Sequence, residues 1–110
     1  MRTRIDLHNT LLDILVKLGI RERTGSGHLY FQPPETVKMV YPAIVYSLQN
    51  IDVRHADNRP YKITKQYRIT AIDKDPDSKL PDEIAELPTV RFDRFFTSDN
   101  LNHWVFTVHD

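Results

Sequence analysis

The chain has 110 residues, 40% of them apolar, and its 15 basic and 15 acidic side chains cancel to a formal net charge of zero. That size and apolar content match one folded domain and exclude a disordered chain. The absence of cysteine excludes disulfides, thiolate zinc centres and cysteine nucleophiles, and neutrality argues against non-specific nucleic-acid binding, which relies on surplus cations.

In chain order, the first pattern is helical. Leu7, Leu11, Ile14, Leu15 and Leu18 recur at the spacing that lines one helix face. Asp6 suits the helix start and Gly19 its end. Residues 24–27 hold two of the three glycines and read as a loop. Residues 28–31 read as a short strand stopped by Pro33 and Pro34. From Tyr41 the pattern becomes β. Residues 43–48 are almost continuously apolar, as in a central strand. Residues 54–60 are polar and turn-rich, and are expected to form a long connection to a strand in which Ile63, Tyr67, Ile69 and Ala71 share a face. Lys65 interrupts that apolar phase, as a strand end overhanging the core would. Pro81 opens a short helix carrying Leu80, Ile84 and Leu87, and Pro88 stops it. Residues 90–96 and 101–108 form a last hairpin around the polar turn Thr97, Ser98, Asp99 and Asn100. The expected fold class is α+β: a mainly antiparallel sheet of four to five strands, with an N-terminal helix and a short second helix packed on one face. Residues 1–110 are expected to form a single domain.

The patterns that could carry catalysis fail on spacing. Asp73, Asp75 and Asp77 match the first positions of a calcium loop, but Ser78 and Ile84 stand where the required glycine and glutamate belong. Asp77 lacks the following acidic-x-lysine step of a metal-dependent nuclease. His8, His28, His55, His103 and His109 form no zinc-binding pair along the chain. Residues 25–28 match neither a nucleophile elbow nor a phosphate loop. No catalytic residue, metal or cofactor is expected. Phe95 differs in strand parity from Phe92 and Phe96, placing at least one aromatic outside the core. With Arg91 and Arg94 nearby, base stacking on a sheet is one reading and a subunit interface the other. Neutral charge favours the interface.

Local charge is uneven. Arg54, Arg59, Lys62, Lys65 and Arg68 stand against Asp52 and Asp57, whereas Asp73, Asp75, Asp77, Asp82, Glu83 and Glu86 stand against Lys74 and Lys79. Solvated faces account for such runs, and so do complementary poles of a head-to-tail assembly. No stretch reaches the roughly 20 apolar residues of a membrane helix, and the start of the chain lacks the apolar core of a secretory signal. Synthesis in the cytoplasm is expected.

Several short motifs occur in order: Tyr41 to Tyr46, Ala56 to Tyr61, Asp75 to Ser78, Leu87 and Pro88, Arg91 to Arg94, and Asp99 to His103. Together, over roughly residues 40 to 110, they resemble a family of small tail-terminator or tail-completion (head–tail joining) proteins of long-tailed phages and prophages. Trp104 departs from that pattern, where a smaller or acidic residue is expected. The resemblance implies a virion protein at the head–tail junction, made in the host cytoplasm. It implies a homo-oligomeric ring of six subunits, with the tail tube protein and the head–tail connector or neck protein as partners. No membrane or specific nucleic acid is implied. Arg59, Lys62 and Lys65 of one subunit are then expected to face Asp82, Glu83 and Glu86 of the next. Arg54, His55, Asp57 and Asn58 become candidates for touching tube or connector. The alternatives are a head-completion or neck adaptor and, in a different class, a small nucleic-acid-binding or nuclease-like protein.

Overall fold

The computed structural model describes residues 4–25, 27–34, 38–56 and 59–109, the side chains at 56 and 60–62 excepted. Seven elements follow one another: α1 (Arg4–Lys17), β1 (Leu29–Phe31), β2 (Ala43–Ala56), β3 (Arg59–Asp73), α2 (Leu80–Ala85), β4 (Val90–Ser98) and β5 (Leu101–His109). The strands make one five-stranded sheet in the order β1-β2-β3-β5-β4. All pairs are antiparallel except β1 with β2, whose connection through residues 32–42 is long enough to bring the chain back in the same direction.

The helix α1 buries Leu7, Leu11, Leu12, Ile14 and Leu15. It starts at Arg4, so Asp6 lies inside the first turn rather than before it, where its charge still favours the positive helix end. Its C-terminus closes as expected at Gly19, with φ of 73°. The Gly19 N–H donates to the Val16 carbonyl and the Ile20 N–H to the Leu15 carbonyl, which satisfies two of the four carbonyls a helix end leaves open.

Register sorts the sheet into rows. Ile44, Ala71 and Trp104 lie side by side, as do Tyr46, Ile69 and Phe106, then Leu48, Tyr67 and Val108. These rows face the helices. Apart from the exposed Leu48 and the half-buried Trp104, they form the core together with Leu7, Leu11, Leu15, Leu80 and Ile84. A β-bulge at Gln49 inserts one residue and flips the parity of β2. Leu48 before the bulge and Ile51 and Val53 after it therefore share the helix side.

The connection expected over residues 54–60 is strand instead. Arg54 pairs with Lys62, and Ala56 with Arg59, leaving two residues between β2 and β3. The polarity that suggests a loop belongs to a ribbon in which the exposed Asp52 and Arg54 stand in register with Thr64 and Lys62. β2 and β3 thus run 14 and 15 residues, and from Ile51 and Lys65 onward they outrun the rest of the sheet as a two-stranded arm. The six β2 residues of the arm, Ile51 to Ala56, span about 20 Å, in a molecule measuring 51 × 30 × 30 Å. Lys65 stands on this overhang, opposite Ile51.

Candidate interaction surfaces

The arm carries an apolar face that nothing among the described residues covers. Val53 lies directly opposite Ile63. Leu48, Ile51, Val53 and Ile63 are exposed by 38% to 57%, although they continue the row pattern of the core. α1 reaches only the base of the hairpin, so an aliphatic stripe laid down in the pattern of a buried face ends in solvent.

A second apolar surface follows β4, the free edge of the sheet. Every residue of 91–98 is exposed, including Phe92 (57%), Phe95 (48%) and Phe96 (41%). A bulge at Asp93 shifts parity here too. Phe92 opposes Phe106 and Phe95 opposes Trp104, both on the helix side, with ring centroids 5.5 Å apart in each pair. Phe96 opposes His103 on the other face and stacks on its imidazole at 4.6 Å. The odd member of the three is thus Phe96, where unbroken alternation isolates Phe95. The strand ends in a two-residue turn, Asp99 and Asn100, both at positive φ, which is the backbone that matches strand twist in a tight hairpin.

Part of the helix-free face of the sheet is basic. Next to the row of Ala43, Ile72, His103 and Phe96, the exposed Arg94 lies beside the buried Val105, followed by the row of Arg68, Thr107 and Arg91 and then Gln66 and His109. On the arm the same face continues through Asp52 and Arg54. Arg68 is half-buried, and its Nε has no acceptor among the described residues. A shallow cleft of about 200 Å³ opens between Asp52, Thr64 and Gln66 on one side and Arg91, Thr107 and His109 on the other.

The acidic pole lies on the opposite side. Asp73 and Asp75 spend one carboxylate oxygen each on the backbone N–H two residues on, and Ser78 Oγ accepts from the Leu80 N–H. The run that resembles a calcium loop is therefore a strand-to-helix turn bonded to its own backbone, beside a cleft of about 330 Å³ shared with Leu18, Ile20 and Pro42. Among the described residues no three metal-ligating side chains are grouped.

The residues singled out in the sequence are dispersed over these surfaces. Arg54 and His55 lie exposed on β2, and Asp57 and Asn58 fall outside the described residues. Arg59 is exposed at the start of β3. Lys62 pairs with Arg54 in register, and Lys65 faces the helix side of the arm. Asp82 and Glu86 are exposed on α2 and at its C-cap. Glu83 is half-buried and accepts a 3.0 Å ion pair from Lys17 of α1, which raises the lysine pKa through the hydrogen bond and its charge. Glu83 thus ties the two helices together.

One polar cluster escapes sequence reading altogether. The Tyr46 hydroxyl accepts from Arg4 at 3.4 Å and is hydrogen-bonded to His8 Nδ1 at 2.7 Å. The Arg4 guanidinium also lies 4.9 Å over the Phe31 ring. Partial burial, then Arg4 and Arg21, lower the His8 pKa, while burial raises that of Tyr46. A neutral imidazole accepting from a phenol fits both directions. Residues 38 positions apart in sequence leave no local signal of this contact. No helix among the described residues is long and apolar enough to cross a membrane. No family model matches the chain, and no curated protein matches it in sequence.

Proposed function

We propose that the chain is a non-catalytic structural subunit that closes into a ring at the head-proximal end of a phage tail tube. There it ends tail polymerisation and joins the tail to the head connector. The observation that carries the assembly reading is the arm. A two-stranded ribbon alone is marginally stable in water, and this one presents Leu48, Ile51, Val53 and Ile63 uncovered. Covering the exposed part of each is worth on the order of 1 kcal/mol. The free edge at β4, with Phe92 and Phe95 beside it, is the kind of edge that native chains cover with a neighbour. Assignment to a phage tail rests on the ordered motifs of residues 41–103. A nucleic-acid-binding reading draws on Phe96 and Arg94 on the helix-free face, but zero net charge weighs against it.

Electron microscopy of phage lysates lacking this gene tests the assignment. Overlong tails beside filled, separate heads are expected. Normal-length tails that fail to attach would move the subunit to the neck, and intact virions would refute the reading.

A further inference from the structure

Strand register sorts the charges in a way the linear sequence hides. Arg91 and Arg94 both project from the helix-free face of β4, because the bulge at Asp93 places residues three apart on the same side. Two rows of a strand separate them by about 7 Å. Arg68 stands in the Arg91 row, two strands across, at about 10 Å. On the other side of the sheet, α2 buries Leu80, Pro81 and Ile84 and turns Asp82 and Glu86 to solvent. These two carboxylates are one helical turn apart, about 6 Å; among the described residues neither makes an ion pair within the chain, although the Glu86 charge adds to that of Glu83 in raising the Lys17 pKa. Of the other acidic side chains here, Glu83 is held by Lys17 and Asp73 and Asp75 by their own backbone.

We propose that the helix-free face of one subunit receives α2 of a second copy of this chain, with Arg91 and Arg94 pairing to Asp82 and Glu86 and Arg68 flanking them. The proposal rests on the ring reading for its setting and refines which surfaces meet. The spacings match to within about 1 Å, and arginine forks suit carboxylates geometrically. The two surfaces lie on opposite sides of one sheet, so a chain cannot satisfy itself, and each copy offers what the next requires. That is a heterologous contact, the kind that closes rings by rotation. A phosphate backbone is the poorer occupant, because Asp52 projects from the same face and the whole chain is neutral.

The test is sedimentation of the purified chain at low and moderate salt, with circular dichroism to establish that each variant is folded. Wild type associates, and more weakly as salt rises. Arg91→Glu with Arg94→Glu, or Asp82→Arg with Glu86→Arg, weakens association at least tenfold. An equimolar mixture of the two double variants, or all four changes in one chain, restores it. A wild type that stays monomeric at millimolar concentration would overturn the proposal, as would arginine reversals that leave association unchanged or folded chains without rescue. Binding of a single-stranded oligonucleotide that the arginine reversals abolish, without self-association, would give the face to nucleic acid and overturn it too. Intact virions in gene-deleted lysates would remove the phage setting and leave a positive sedimentation result standing, so the two failures read separately.

Discussion

Tyr46 is the largest fully buried side chain, and its position on the helix-facing row explains why it is tyrosine rather than phenylalanine. The ring fills the core beneath α1 while the hydroxyl reaches the seam where Arg4 and His8 meet it. Tyr46→Phe removes that hydroxyl and its hydrogen bond to the His8 nitrogen, so a loss of about 1 kcal/mol is expected in denaturant unfolding. His8 adds a pH dependence of definite sign. Its folded pKa lies below the ordinary 6.5, so in the window below that value the unfolded chain binds more protons than the folded one. Stability is then present above about pH 6.5 and declines as pH falls toward the folded pKa. Comparing denaturant midpoints at pH 7.5 and 5.5 checks this: His8→Gln should flatten the decline. An unchanged slope would mean that another group governs it.

At the level of elements, the β2–β3 hairpin is two structures in series. Up to Tyr46 and Tyr67 its helix-facing residues belong to the core, and from Leu48 outward the described side chains of the arm are exposed or half-buried. The arm therefore contributes little to folding. Joining Asn50 to Gln66 through an Asn-Gly turn should leave cooperative thermal unfolding, with the melting temperature lowered by no more than a few degrees. Loss of cooperative unfolding would show that the arm helps to hold the base. The hairpin of residues 90–109 was legible as two strands about a polar turn because Asp99 and Asn100 suit positive φ. The join of β2 and β3 was not legible, because a solvated ribbon and a loop share the same polar composition.

For the whole molecule, the uncovered aliphatics of the arm and the phenylalanines of β4 allow folding and the proposed assembly to be tested separately. Ile51→Ser with Val53→Ser changes side chains already 48% and 38% exposed, so stability should fall by less than about 1 kcal/mol. Ring formation on tails, scored by electron microscopy of complemented lysates, should be lost. Normal tails from this variant would assign the arm no role in assembly. The tie between Lys17 and Glu83 narrows the expected acidic partners of a neighbouring subunit to Asp82 and Glu86, a distinction that sequence spacing alone does not make.

By itself the sequence determined the kinds of element and their order. Periodicity of 3.6 and of 2 reports burial locally, and Gly19, Pro81, Pro88 and the Asp99–Asn100 pair mark ends through their own backbone preferences. It also determined the α+β class and a mainly antiparallel sheet. Tertiary structure alone decided three things: the parallel edge strand β1, the two bulges that choose which face each aromatic and arginine occupies, and the Arg4–Tyr46–His8 cluster. Each depends on which distant strand lies alongside. A single inserted residue reverses every later side chain, and that choice is made by packing across the sheet, where local sequence carries no signal.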